Sequence, residues 1–315
     1  MKTKTKTALA AGAGALALLA LAAVLAARPI VVGAIANGAV RSLHGPVPFD
    51  PAGDPDRAEL DALGVTSQLR WESDSLSLLA WIVDPQIAPT STVVVAHGIH
   101  DDMRDQLGTG RLLADAGYRA VLVDLRGHGR SEGEYLSYGV HESRDLARLA
   151  DVLEDRDLLA GPLGAVGTSY GAATVLQWAG RDERVERVVA MCPFADLSQI
   201  VPRYVRINAP FFWRFIPGAW IAEGLEEAGT LASFDPHDAR PVDAVGLSDA
   251  RILFVHGADD VNIPPEHSRR MHEAIPDRSE LIVIDGVGHF DIPLGSDDDL
   301  DSTVVEWLAP DPGDP

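Results

Sequence analysis

The chain has 315 residues, 46% of them hydrophobic, and a formal charge of −21 at neutral pH. That length suits one large α/β domain with a full core, and so acidic a balance speaks against nucleic acid as a partner, because its phosphates need a basic surface. Lysine occurs only at Lys2, Lys4 and Lys6, and the one cysteine is Cys192. The folded part therefore has no lysine for a Schiff base, a Ser-Lys dyad or a P-loop, and no cysteine set for a disulfide or a structural zinc site.

The chain opens with "MKTKTKT" and then 20 residues, 8–27, without a charge, closed by Arg28-Pro29. A basic leader before a stretch of that length matches a helix crossing a hydrocarbon core of ~30 Å, with the folded domain on the extracytoplasmic side. The alternative is a cleaved export signal, with "VLA" at 24–26 as the cleavage site and a secreted product. A second apolar patch, "PIVVGAIANGAV" at 29–40, extends the membrane-associated part in this reading. Residues 1–42 thus form an anchor or signal segment. The stretch 43–63, rich in Pro, Gly and Asp, reads as a linker.

From residue 64 to 310, strand patterns alternate with helical ones. "GVTSQLRWE" and "LSLLAWIVD" predict a strand pair about the turn "SDS". Apolar runs at 92–97, 119–124, 163–167, 187–191, 251–256 and 281–285 suit strands buried on both faces. Helical spacing marks 111–117, 142–155, 265–275 and 300–309. The pattern predicts a mainly parallel sheet covered by helices on both faces, with ligands bound beyond the carboxyl ends of the strands. Residues 198–250 interrupt it with an insertion that carries Tyr204, Phe211, Phe212, Trp213, Phe215 and Trp220. It reads either as a cap over the site or as an accessory helical pair packing its aromatics on the sheet.

Two stretches fit Gly-x-Ser-x-Gly, "GRSEG" at 129–133 and "GTSYG" at 167–171. A nucleophile elbow needs a strand entering and a helix leaving. Ser169 has both, and its position at a helix N-terminus favours developing negative charge. Ser131 has no helix after it and an acidic neighbour, Glu132, which suits a surface loop. The expected order after the serine is an acid and then a histidine. His289, in "GVGHFD", follows the last strand, and Asp260, in "HGADDVNIP", is the preferred acid over Asp259 and Asp196. The oxyanion donors are the backbone N–H groups of Tyr170, next to the serine, and Ile99, after "VVVAHG". His97, His100 and His128 lack metal-ligand spacing, with His97 shaping the oxyanion turn. His256 reads as a strand-end residue and His272 as an exposed helix residue. No metal and no cofactor is implied.

With these positions assigned, the chain resembles the α/β-hydrolase superfamily. It is most similar to the serine hydrolases that include monoacylglycerol lipases, lysophospholipases and serine aminopeptidases. "VVVAHG", "AGYRAVLVDLRGHGRSEGE", "VGTSYGAA", "HGADDVNIP" and "GVGHF" match that family's blocks in order over about residues 64–309. The resemblance implies an α/β-hydrolase fold with a short helical cap, and a Ser169–His289–Asp260 triad with Ile99 and Tyr170 at the oxyanion. It implies a serine hydrolase of carboxylic esters acting through an acyl-enzyme. The aromatic insertion suggests a small-molecule ester with an apolar acyl group. Amide, peptide or thioester cleavage by the same groups is the alternative reading, as is a non-catalytic binding protein on this fold. Thr168, where the family often has a histidine or aromatic, and the short cap are departures that bear on the substrate.

Overall fold

The computed structural model describes residues 26–42, 54–208, 213, 215–292 and 294–310. The leader through residue 25, most of the linker, and Phe211 and Phe212 of the insertion lie outside the described residues. The chain begins its sheet with β1 (Ser67–Ser73) and β2 (Leu76–Val83), an antiparallel hairpin. Asp74 and Ser75 at its turn have φ of 48° and 65°, the left-handed pair that matches a tight hairpin to the twist of its strands. Parallel strands follow as β3 (Thr92–Ala96), β4 (Arg119–Val123), β5 (Leu163–Thr168), β6 (Val185–Met191), β7 (Arg251–Gly257) and β8 (Ser279–Ile284). The order across the sheet is β1-β2-β4-β3-β5-β6-β7-β8, with β2 antiparallel to β4 and every later pair parallel. This is the α/β-hydrolase fold that the strand pattern and the resemblance led one to expect.

Helices cover both faces because the strands are apolar on both. One face carries α2 (Arg57–Leu63), α3 (Leu107–Asp115) and α10 (Asp298–Trp307), which bury Leu60, Leu113 and Val304 against the sheet. The opposite face carries α4 (Glu142–Asp155), α5 (Tyr170–Ala179), α8 (Pro241–Leu247) and α9 (Glu266–Ala274). In α4 the buried residues Leu146, Leu149, Ala150 and Leu153 recur at helical spacing and form one stripe. At its head Glu142 is fully buried, a position that would raise its carboxyl. The charge of Arg126 and hydrogen bonds from Ser137 and Gly139 instead hold it below the usual range.

The insertion contributes α6 (Leu197–Asn208) and α7 (Gly218–Ala232), which pack on each other, before α8 returns to the body of the protein on α5 and α9. The aromatics expected there divide between roles: Tyr204 and Trp213 line the cavity below, whereas Phe215 is 73% exposed. Residues 26–40 form a helix, α1, whose Val32, Ile35, Ala36 and Val40 are buried. Three of them, Ile35, Ala36 and Val40, share a core with Ile200 and Val201 of α6 and Ile221 and Leu225 of α7. The patch that the sequence allows as a continuation of the membrane segment is therefore packed on the cap of the folded domain. No helix among the described residues is long and apolar enough to cross a membrane.

The loop after β4 also differs from expectation. Ser131 is not at the surface; it is wholly buried. Its Oγ donates to the Asp124 carbonyl at 2.6 Å and accepts the Leu79 N–H at 2.9 Å, tying the loop to β2. Asp124 ties this loop to the one after β3, its carboxylate accepting the N–H groups of Arg130 and Met103, and burial pushes its carboxyl up to about 7. Ser131→Ala leaves the buried Leu79 N–H without its acceptor, so a loss of about 1–3 kcal/mol is expected in urea unfolding. An unchanged midpoint would show that the hydroxyl carries no such role.

Candidate active site

The sheet delivers four loops to one end. β5 ends at Thr168, and Ser169 turns sharply into α5 with φ 53° and ψ −110°. That conformation is strained for a residue with a side chain and persists where surrounding structure imposes it. Here the Ser169 N–H donates to the Met191 carbonyl at 2.7 Å, and the Ser169 carbonyl accepts from Ala173 at 3.0 Å. Gly171 allows the turn to stay tight: a Cβ there would lie 2.3 Å from the carbonyl oxygen of Ala96 on β3. α5 therefore starts directly above the neighbouring strand, and its first N–H groups, which have no partner within the helix, surround the serine.

After β7, Asp260 turns its buried carboxylate inward. After β8, the loop 285–288 returns His289 over the elbow. His289 Nδ1 lies 2.6 Å from Asp260 Oδ2, and His289 Nε2 lies 2.9 Å from Ser169 Oγ. A carboxylate can only accept, so Nδ1 carries the proton and Nε2 is left to accept from the hydroxyl. Burial alone would raise the Asp260 carboxyl. Hydrogen bonds from His256, from His289 and from the Ile263 N–H hold it well below the ordinary carboxylate range. The other acids fall away on geometry. Asp259 is exposed, and Asp196 accepts from Ser198 and pairs with Arg240 at 2.8 Å, linking α6 to α8.

His256 is a site residue that sequence reading missed. It is fully buried, with Nδ1 2.7 Å from Ser268 Oγ and Nε2 both 2.8 Å from the Ile263 carbonyl and 3.3 Å from Asp260 Oδ2. The signal available was its position four residues before the acid, at the end of the strand that leads into the acid's loop. Cys192, at the end of β6, is buried beside Asp260, and burial pushes its thiol up to about 12. Potential metal-ligand atoms of Cys192, Asp260 and His289 lie within 4.8 Å of one another. A protonated thiol is a poor ligand, however, and the other two residues face each other across a hydrogen bond.

Tyr170 is the first residue of α5, and its ring packs near those of His128 and Tyr138 at centroid distances of 5.6 and 5.7 Å. Ile99 follows β3 across the same opening, and its carbonyl lies 3.1 Å from His128 Nε2. His97 accepts the Leu125 N–H on Nε2 at 3.1 Å and places Nδ1 2.7 Å from the Gly98 carbonyl, so it braces this turn as expected. His100 reaches the cap, 3.2 Å from the Tyr204 hydroxyl. His272 is only partly buried and meets Ser279 Oγ at 2.8 Å. Ser169, Tyr170, Ile99 and His289 all border one cavity of about 790 Å³, roofed by α6 residues such as Leu197 and Val201. Its size falls in the range of small-molecule sites.

A family model described as serine aminopeptidase, S33 matches residues 87–245, half of the chain, and a second described as TAP-like protein matches 232–310. YqkD of Bacillus subtilis is 27% identical over 194 residues, covering 61% of this chain and 62% of its own length. The chain thus spans less than two thirds of that relative. The esterase Pf2001 of Pyrococcus furiosus superposes with a TM-score of 0.65 at 18% identity, covering 84% of this chain and 97% of that one. Est1E of Butyrivibrio proteoclasticus gives 0.58 at 17% identity, covering 77% and 98%. On the family match and the fold together, the chain belongs to the serine aminopeptidase S33 family of α/β-hydrolases.

Proposed function

We propose that this protein cleaves carboxylic esters through an acyl-enzyme. The reading rests above all on the unbroken Ser169–His289–Asp260 chain, with hydrogen-bond distances of 2.9 and 2.6 Å. Ser169 Oγ attacks the ester carbonyl as its proton passes to His289 Nε2. Asp260 keeps the imidazole in the accepting tautomer and stabilises the imidazolium that forms. The oxygen that becomes negative is received by the N–H groups of Tyr170 and Ile99, each such donor contributing about 2.7–4 kcal/mol. The imidazolium then protonates the leaving alcohol. Water, deprotonated by the same nitrogen, releases the acid. No step asks for a metal or an organic cofactor.

The choice of ester is supported by the largely apolar walls of the cavity, and the structural neighbour Pf2001 is named as an esterase. The family description favours a second reading, amide or peptide cleavage by the same groups. Nitrophenyl esters assayed beside a panel of aminoacyl amides separate the two.

Labelling by a fluorophosphonate is the direct test. The unmodified protein and Ser131→Ala are expected to react and Ser169→Ala to remain unlabelled; the reverse pattern overturns the assignment. Asp260→Asn is expected to lower kcat about 10⁴-fold by presenting the wrong imidazole tautomer. Asp259→Asn, at an exposed position, should stay close to the parent, and equal losses at the two positions would remove Asp260 from its role. We read residues 8–27 as an export element that tethers the domain to a membrane or is cleaved to release it. Amino-terminal sequencing of the membrane-associated protein should return the intact leader if it is an anchor. A fully soluble product starting near residue 27 would mean cleavage.

A further inference from the structure

One wall of the catalytic cavity comes from a part of the chain that precedes the hydrolase domain. Ala34, Ile35, Gly38, Ala39 and Arg41 border the same space as Ser169 and His289. Several contacts hold α1 there. Ile35 packs against the backbone of α7 so closely that a Cβ on Gly224 would lie 2.6 Å from Ile35 Cγ2. The Val40 carbonyl accepts the Leu136 N–H at 2.8 Å, and the Ser42 N–H donates to the Glu134 carbonyl at 3.0 Å. The Tyr138 hydroxyl donates to the Ala39 carbonyl, and that tyrosine also borders the cavity beside the ring of Tyr170. Ala34 and Gly38 are one helical turn apart, so they share a face. At Gly38 a Cβ would meet nothing within 4 Å, so the wall at that point opens onto free space.

We propose that α1 is the far wall of the acyl-binding cavity and that Ala34 and Gly38, by their smallness, set how long an unbranched apolar tail the enzyme accepts. The substrate class is then esters of straight-chain carboxylic acids, with the carbonyl at the elbow and the tail lying between α1 and α6. This rests on the ester reading above. It holds whether the leader is kept or removed, since cleavage after Ala26 leaves α1 in the mature chain.

The experiment compares the full-length protein with Gly38→Phe and Ala34→Leu in two assays. The first is kcat/KM for nitrophenyl esters with acyl chains of about two to about twelve carbons, below their aggregation limits. The second is the affinity of n-alkyl methyl ketones of the same lengths for each protein carrying Ser169→Ala, read by calorimetry; these ketones are neutral and need no turnover. In the parent, each methylene that enters the cavity is expected to strengthen both quantities about fourfold until the wall is reached. In both variants the rise should stop at a shorter chain, with the long-to-short ratio falling about tenfold or more, the effect of at least two lost methylenes. Ala34→Leu adds three carbons in a helix that favours leucine, so it keeps the test open should Gly38→Phe fold poorly. Length profiles unchanged in both assays, or a parent indifferent to chain length, overturn the proposal. If no ester is turned over but ketone binding shortens in the variants, the wall stands and the ester reading falls.

Discussion

A buried carboxylate keeps its charge only where donors replace the water it has lost, and the catalytic end of this sheet is organised around that demand at Asp260. Two backbone N–H groups, from Asn262 and Ile263, point at one oxygen, and His289 Nδ1 and His256 Nε2 approach the other. The backbone donors exist because the chain after β7 curls into a turn around the acid. The side-chain donors come from β7 itself and from the loop after β8. Hydrogen bonding wins over desolvation, and the carboxyl stays ionised far below its usual range. That in turn fixes which nitrogen of His289 faces Ser169. Remove the charge and the imidazole loses both its orientation and its tautomer, although the serine would still sit at the elbow.

The elbow is a separate constraint, met by different means. α5 must begin almost on top of β3 if its N-terminal N–H groups are to surround Ser169, and backbone can approach backbone that closely only without a side chain at Gly171. The strain at Ser169 is held by the Met191 carbonyl and by the first turn of α5. So Ser169 is set by packing and His289 by electrostatics. The two meet only because β5, β6, β7 and β8 are sheet neighbours in that order.

Much of this was legible in the residues. The central strands are apolar on both faces, so they stand out as short runs, and a strand-Gly-Ser-Gly-helix sequence separates Ser169 from Ser131 without coordinates. The role of Ser131 was not legible. A serine among glycines looks solvated, and nothing local announces that its hydroxyl sits between β2 and the Asp124 carbonyl. Asp260 and its neighbour Asp259 differ only in which way a turn points them, a distinction decided by partners far along the chain. His256 looked like any strand-end residue because its partners, Ser268 and Asp260, become visible only when the loop closes on itself.

The helix α1 is the clearest case of a local pattern with a non-local meaning. An apolar stretch after a chargeless leader reads as more leader, yet its partner surface on α7 lies almost two hundred residues away. The ion pair of Arg28 with Glu223 of the cap, at 2.8 Å, is nearly half exposed on each side and contributes little. What holds it is burial of Ile35, Ala36 and Val40 against the cap helices, together with backbone bonds to residues 134–136. The cap gains from that burial too. α6 and α7 bury Ile200, Ile221 and Leu225 in a core that α1 shares with Ala173 of α5, Phe194 and Ile263, so α1 closes one side of it. A cavity wall made this way is only as rigid as the packing behind it, and Gly224, by letting α1 touch the α7 backbone, makes that packing close.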